Sequence, residues 1–180
     1  MADTSTPSTK RIALLSTHGF EQSELMKPLE ALRAAGHHVD VVSPESGSIR
    51  GWKDKDWGDS VPVDVALADA KVDDYDALVL PGGQMNPDIL RINAAAVALV
   101  KAFDAAAKPL AAICHAPWLL IEAGAAKGRK VTSWPSVRVD LENAGASWSD
   151  SEVVTDGHVI TSRKPDDIPA FNRAILAALK

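Results

Sequence analysis

The residue with the clearest potential for chemistry is the only cysteine, Cys114. The short apolar run 110–113 (LAAI) precedes it, and residues 115–122 have helical composition. A side chain at such a strand-to-helix turn lies over the helix N-terminus, where unpaired N–H groups carry partial positive charge. That field favours the thiolate and lowers the pKa of a thiol. The pattern therefore indicates a reactive cysteine; the alternative interpretation is a buried structural cysteine.

Two other stretches follow apolar runs and reach the same edge of the predicted sheet. Residues 18–21 (HGFE) follow the first run, and residues 81–83 (PGG) follow a middle run. Ligands of open α/β sheets gather at the carboxyl ends of the strands. A glycine without a side chain lets its N–H approach the thiol, and that N–H together with the N–H of His115 would complete an anion-binding concavity. A simple tight turn is the alternative for residues 81–83.

Glu21 and His115 are the candidate proton-transfer groups. Glu21 stands between a strand and a helix, where a surface carboxylate is the default expectation; facing inward, it would lie near the thiol with a raised pKa. His115 is adjacent to Cys114, but neighbours i and i+1 on a helix do not face each other, so this pair is geometrically awkward. A structural or subunit-contact role for the His115 ring is equally compatible with the sequence. No spacing of Cys, His and carboxylates is typical of a metal site, and we expect no cofactor.

Composition limits the class of protein. The chain has 180 residues, a formal net charge of -5 and scattered basic residues, which argues against a nucleic-acid surface. No segment is long and apolar enough to predict a membrane span. A single cysteine excludes an internal disulfide and favours a reducing compartment, so we expect a cytoplasmic protein. Residues 1–10 are polar, lack the apolar segment of a signal peptide and are predicted to form a flexible tail.

Strand and helix signals alternate along residues 11–180, which we interpret as one α/β domain. Parallel strands covered by helices on both faces, with one added β-hairpin at Asp156-Gly157, explain this order. Residues 45–62 are interpreted as an irregular excursion with a short hairpin around residues 48–49. The predicted strands are residues 11–17, 39–43, 77–80, 110–113, 131–133 and the two arms of 152–162. The predicted helices carry Leu25, Leu29 and Leu32 on one face or span residues 93–107, 115–122, 137–143 and 166–179.

Several of these segments together resemble the ThiJ/PfpI family, the superfamily of the parkinsonism-associated protein deglycase. The similarity is greatest to the branch of stress proteins once called intracellular protease I. The segments occur in order and cover the chain from residue 11 onward. The matching segments are 19–25 (GFEQSEL), 77–83 (ALVLPGG), 108–117 (KPLAAICHAP), 128–135 (GRKVTSWP) and 152–157 (EVVTDG).

The resemblance implies a fold, an assembly and residue roles. The fold would be a flavodoxin-like three-layer sandwich, and the assembly a homodimer, extended to a hexamer in some members. Cys114 would be the nucleophile, Glu21 the carboxyl group touching the thiol, and Gly83 and His115 the donors of an oxyanion hole. In the protease-like branch His115 is the base and pairs with an acidic residue of a neighbouring subunit; Asp88 falls where that branch carries a longer Glu.

Three functions follow as hypotheses. The first is a stress-response enzyme that acts on reactive carbonyls or glycation adducts through Cys114, with Glu21 moving protons. The second is a peptidase or amidase that uses Cys114, His115 and Asp88 of a neighbouring subunit. The third is a redox sensor switched by oxidation of Cys114, which has no second cysteine to form a disulfide. The partners expected are a small carbonyl or peptide substrate, with no nucleic acid and no membrane.

Overall fold

The computed structural model describes residues 8–180, so residues 1–7 of the predicted tail lie outside the described residues. Residues 8–10 have no regular structure, and the carbonyl of Lys10 already accepts from the N–H of His38 at 2.9 Å. The strands are β1 (Arg11–Leu15), β2 (His38–Ser43), β3 (Ser48–Lys53), β4 (Asp56–Pro62), β5 (Val65–Ala66), β6 (Ala77–Leu80), β7 (Leu110–Ile113), β8 (Lys130–Val131), β9 (Ser147–Trp148), β10 (Val153–Asp156) and β11 (Val159–Ser162). The α-helices are α1 (Gln22–Ala34), α2 (Met85–Leu90), α3 (Ala94–Ala105), α4 (Pro117–Glu122), α5 (Arg138–Asn143) and α6 (Ile168–Ala178).

A seven-stranded sheet with the order β10-β11-β7-β6-β1-β2-β5 forms the centre of the fold. All pairs in this sheet are parallel except β10 and β11, which pair as an antiparallel hairpin around Asp156 and Gly157. The middle strands β6 and β7 are fully buried, as expected for parallel strands covered on both faces. The predicted mostly parallel sheet with one added hairpin is therefore confirmed.

Alternate residues of the middle strands belong to two separate hydrophobic cores, one on each face of the sheet. Leu78 and Leu80 pack on the side of α3, α4 and α5, whereas Ala77 and Val79 pack on the side of α1 and α6. Leu99 and Phe103 of α3 belong to the first core, and the leucines of the predicted apolar face of α1 belong to the second. Because the side chains of a strand alternate between the two faces, a sheet with helices on both sides buries both sets. The predicted three-layer α/β sandwich is confirmed.

Residues 45–62 are more regular than the sequence predicted. Strands β3 and β4 form an antiparallel hairpin that spans most of this segment and has its own two-stranded sheet. Ile49 and Val61 are buried, and the rings of Trp52 and Trp57 meet edge to face with centroids 5.5 Å apart. The glycines and prolines suggested an irregular excursion, but these cross-strand contacts favour extended pairing. The N–H of Trp52 also donates to the carbonyl of Phe20 at 2.7 Å, which joins the hairpin to the loop after β1.

Among residues 8–180, no helix combines the length and apolar character that a membrane span requires.

Candidate active site

Three loops at the carboxyl ends of adjacent strands β1, β6 and β7 enclose the candidate site. They are the loops predicted from the sequence, and they surround a cavity of about 570 Å³. That volume lies within the range of small-molecule sites. The cavity is lined by Gly19, Glu21, Glu24, Trp52, Asp54, Gly83, Gln84, Met85, Cys114, His115, Trp134 and Pro165.

Cys114 occupies a left-handed backbone conformation with φ of +65°. Its N–H donates to Ser162 O at 3.0 Å, and its carbonyl accepts from Trp134 N at 2.9 Å. A residue with a side chain rarely adopts this conformation, so the two hydrogen bonds hold a strained turn in place. Helix α4 begins only at Pro117, after a short turn. The predicted sharp turn is therefore present, and it points a 5% exposed thiol into the cavity.

Glycine is required at positions 82 and 83 because the loop after β6 packs closely against the loop after β1, the start of α1 and the turn at Cys114. A Cβ at Gly82 would overlap the Glu24 carboxyl group and lie 2.6 Å from the Cβ of Cys114. Gly83 has φ of +82°, and a Cβ there would lie 2.6 Å from the N–H nitrogen of Glu21. Contacts this short do not occur for real Cβ atoms, so the loop after β6 can reach the thiol only with glycine at both positions.

We expect Gly83→Ala to destabilise the fold more than a matched glycine change elsewhere. Gly36 has a similar φ of +89°, but a Cβ added there would meet no atom within 4 Å. Gly36→Ala should therefore lower the free energy of unfolding only through its left-handed backbone conformation, by about 1–2 kcal/mol. Gly83→Ala adds the overlap with the loop after β1, about 1–3 kcal/mol more. Urea unfolding of both variants measures the difference. Equal losses of unfolding free energy in the two variants would show that the loop after β1 shifts to accommodate the added Cβ without loss of stability.

The carboxyl group beside the thiol belongs to Glu24 and not to Glu21, which corrects the sequence-based expectation. Glu24 lies in the first turn of α1, is fully buried (0% exposed) and interacts with the thiol of Cys114 and with the backbone of Gly82 and Gly83. Neither of its oxygens has a well-formed hydrogen bond to another described residue. A buried carboxyl group without such partners strongly prefers its protonated form.

Glu21 has a structural role at the start of α1. It is the N-cap of α1, and its carboxylate accepts from the N–H of Glu24 at 2.9 Å and from the hydroxyl of Ser23. A carboxylate at an N-cap satisfies N–H groups that have no partner inside the helix. Glu21 still lines the cavity, and its negative charge is the second largest cause of the raised pKa of Glu24.

Cys114 and Glu24 form a coupled buried pair. Burial, followed by the charge of Glu21, raises the pKa of Glu24 from 4.5 to about 8. Burial and the neighbouring Glu24 also raise the pKa of the Cys114 thiol, against the lowered pKa that the sequence predicted. The N–H groups of Gly83 and His115 act in the opposite direction, because they favour the charged sulfur. The pair therefore carries no more than one negative charge near neutral pH, and the two N–H groups offset only part of the effect of burial on the thiol.

His115 contacts the thiol despite being its neighbour in sequence. Its Nδ1 lies 3.1 Å from the Sγ of Cys114. The geometric objection drawn from helix spacing does not apply, because Cys114 is left-handed and precedes the helix. The ring stacks on Trp134 with centroids 6.0 Å apart and meets the edge of Trp118 at 5.1 Å. Burial lowers the pKa of His115, so its ring is neutral at pH 7 and can exchange a proton with sulfur.

Asp88, predicted to act on a neighbouring subunit, lies in α2 with an exposed side chain. It does not line the cavity of its own chain. Within residues 8–180, no three His, Cys, Asp or Glu side chains are grouped so that they could hold a metal ion.

Asn86 is a site-building residue that the sequence reasoning missed. Its fully buried amide accepts from Thr17 N at 2.8 Å and donates to Pro81 O at 3.0 Å, so it joins the loops after β1 and β6. Backbone groups of buried loops need partners, and a side-chain amide can both donate and accept. An Asn three residues after Gly83 was the only signal in the sequence, and by itself it is not specific.

Comparison with known proteins identifies the family. The sequence profile of the DJ-1/PfpI family matches residues 10–178 of this chain. The chain belongs to the DJ-1/PfpI family. The resemblance inferred from the sequence motifs is confirmed.

Relatives share nearly the whole chain. General stress protein 18 of Bacillus subtilis is 47% identical over 172 residues, which is 95% of this chain and 98% of the relative. Deglycase TK1284 of Thermococcus kodakarensis is 45% identical over 170 residues, which is 94% of this chain and 99% of the relative. The crystal structure of Drosophila melanogaster DJ-1beta superposes with a TM-score of 0.87 at 30% identity and covers 96% of this chain and 91% of its own.

Proposed function

We propose that this member of the DJ-1/PfpI family is a stress-response enzyme that acts on methylglyoxal and early glycation adducts through Cys114. The observation that carries the proposal is the contact of one thiol with one fully buried carboxyl group inside a cavity. Two relatives that are 45% and 47% identical are named as a deglycase and a general stress protein, which supports this activity.

The first step is addition of sulfur to the aldehyde carbon of methylglyoxal. The Sγ–C bond forms while the C=O double bond becomes a single bond, and the thiol proton passes to the ionised form of Glu24, which becomes populated as the pH approaches its raised pKa of about 8. The N–H groups of Gly83 and His115 interact with the sulfur, which supports a role for them as donors to the negative oxygen. Return of the proton from Glu24 to this oxygen gives a hemithioacetal.

The second step moves hydrogen between the two oxygen-bearing carbons. Glu24 removes the proton from the carbon bound to sulfur, and protonation of the ketone oxygen gives an enediol. Glu24 then delivers a proton to the adjacent carbon while the hydroxyl group on the sulfur-bearing carbon loses its proton, which yields the thioester of lactate. Water then cleaves the C–S bond, releases lactate and restores the thiol. One methylglyoxal and one water give one lactic acid, so no external oxidant, reductant or cofactor is consumed.

The proposal predicts lactate formation from methylglyoxal by the purified protein. The rate of lactate release should saturate with methylglyoxal concentration and should exceed the rate in buffer alone by several orders of magnitude. Enzymatic lactate determination after quenching measures it. Absence of any lactate above the buffer control, with the thiol shown by titration to be reduced, contradicts the proposed function.

A second candidate, peptidase or amidase activity, is favoured by the 3.1 Å contact between Sγ and His115 Nδ1. This pair resembles the nucleophile and base of cysteine hydrolases. It lacks an orienting carboxylate on the described part of its own chain, so Asp88 of a neighbouring subunit would have to supply one in a homodimer or larger assembly. A fluorogenic peptide tested alongside methylglyoxal separates the two candidates, because only a peptidase releases the fluorophore.

Both candidates require a reduced thiol. We therefore propose the cytoplasm as the compartment, since thiols are kept reduced there.

A further inference from the structure

The short sheet of β8 and β9 is separate from the central sheet, yet it leads into the segment that contacts the reactive cysteine. The two strands pair in parallel with Val131 opposite Trp148. Ser133 follows β8 and is fully buried (0% exposed). Its hydroxyl accepts from the indole N–H of Trp148 at 2.9 Å and donates to Trp134 O at 2.8 Å. One buried hydroxyl therefore joins β9 to the residue that follows it in the chain.

Trp134 contacts both members of the thiol–imidazole pair. Its backbone N–H donates to Cys114 O at 2.9 Å, and its ring stacks on His115 with an angle of 21° between the ring planes. The side chain of Trp134 is 37% exposed, so packing around its own ring does not fix its position. Its carbonyl accepts from Val137 N at 3.0 Å as well as from the Ser133 hydroxyl, and these bonds hold its backbone.

Hydrogen bonds close a circuit around the strained turn. The N–H of Cys114 donates to Ser162 O of β11 at 3.0 Å. The neighbouring Thr161 of the same strand accepts from Thr132 N at 2.9 Å through its hydroxyl. Trp134 then returns to the carbonyl of Cys114. A left-handed residue with a side chain persists only when its surroundings fix it from several sides. The segment that contains Ser133 is therefore one of the supports of the turn.

We propose that Ser133 and Trp148 are positioning residues of the reactive centre: their hydrogen bond fixes Trp134, which holds Cys114 and His115 in contact. Neither residue lines the catalytic cavity, so neither touches a substrate there. Without the Ser133 hydroxyl, the indole N–H of Trp148 loses its partner and Trp134 O loses one donor. The ring of His115 then turns away from sulfur, and the thiol loses the nitrogen that lies 3.1 Å from it.

The test measures the reactivity of the thiol with iodoacetamide, a small alkylating reagent. The chain has one cysteine, so the mass added to the full-length protein reports on Cys114 alone. Near neutral pH, Ser133→Ala should slow alkylation about fivefold, and Trp148→Phe, which keeps a ring but removes the N–H, about threefold. Because both residues act through one hydrogen bond, the double variant should be no slower than Ser133→Ala alone.

The ring of His115 supplies a readout that a general loss of stability would not move. Protons over the face of a stacked indole are shielded, so the carbon-bound ring protons of His115 should resonate upfield in the wild type. In Ser133→Ala they should move downfield, toward the resonances of an unstacked imidazole. Circular dichroism shows in parallel that the variant is folded.

Ser149→Ala is the matched control. This serine is exposed, and among the described residues its hydroxyl contacts only that of Ser151, so the variant should react at the wild-type rate. A wild-type rate in folded Ser133→Ala or Trp148→Phe overturns the inference. So do unmoved His115 resonances, and so does a double variant whose loss is the product of the two single losses, because such losses are independent.

Two features keep the test decisive. If Ser133→Ala does not fold, the alkylation rate of Trp148→Phe decides alone. Alkylation needs no turnover of methylglyoxal, so absence of lactate together with the expected alkylation rates would refute the proposed function and leave the positioning role of Ser133 and Trp148 in place.

Discussion

Replacing Cys114 with serine should reduce lactate formation from methylglyoxal by about 10³-fold or more. The hydroxyl of serine ionises far less readily than a thiol and is a weaker nucleophile, and the neighbouring Glu24 already prefers its protonated form. Steady-state assays with quenched lactate determination measure the loss. Because Cys114 is the only cysteine, titration with a thiol reagent should fall from one equivalent to none.

A second substitution at the same position separates chemistry from folding. Cys114→Ala removes the nucleophile altogether and keeps the same strained turn, which hydrogen bonds to Ser162 and Trp134 hold. Both variants should show the circular dichroism of the wild type and equal, near-background activity. Retention of more than about a tenth of the wild-type rate by either variant would show that the reaction does not pass through sulfur.

Replacing Glu24 with glutamine should lower kcat/KM for methylglyoxal by about 10²–10⁴-fold. An amide cannot take the thiol proton or move hydrogen between the two carbons, although it fits the same buried space. The matched control is Glu21→Gln, three residues earlier. Its carboxylate caps α1, so we expect a stability loss of about 1 kcal/mol and a much smaller fall in kcat/KM. A larger effect at Glu21 than at Glu24 would reverse this assignment.

The pH dependence of the Glu24 variant gives an independent measurement. The pKa of Glu24 is about 8 in the folded protein and 4.5 as its ordinary value. Between these values the unfolded chain loses this proton while the folded protein keeps it, so the stability of the wild type falls as pH rises from 4.5 to 8. The slope is at most about 1.4 kcal/mol per pH unit. Glu24→Gln should remove this component and be more stable than the wild type at pH 8. Urea unfolding at several pH values measures it.

The activity of the wild type should also follow this ionisation. Since the Cys114 and Glu24 pair loses its first proton near the raised pKa of about 8, kcat/KM should rise with pH up to that region. The Glu24→Gln variant should lack this rise of kcat/KM with pH. An unchanged pH profile in the variant would assign the titration to another group, with His115 as the nearest alternative at 3.1 Å from sulfur.

Much of the fold was predictable because its signals are local. Strands β6 and β7 were predicted with their observed bounds, since short apolar runs flanked by Gly or Pro favour buried strands. The hairpin at Asp156 and Gly157 has the dipeptide that its turn requires. The predicted helix 93–107 is present as α3, and the side chain of Asn93 caps it by accepting from Ala96 N at 3.1 Å. The β3–β4 hairpin was underestimated because cross-strand contacts, which local composition does not show, stabilise it.

The sequence by itself determined that a single cysteine lies at a strand-to-helix turn beside a glycine loop, because strand ends and glycine positions are encoded in neighbouring residues. Only the tertiary structure decided which carboxyl group reaches the thiol. Glu21 and Glu24 are three residues apart at the start of one helix, so the choice depends on the rotation of α1 relative to the sheet and on which residue caps it. Packing of Leu25, Leu29 and Leu32 against the sheet sets that rotation, and it turns Glu24 inward to Cys114.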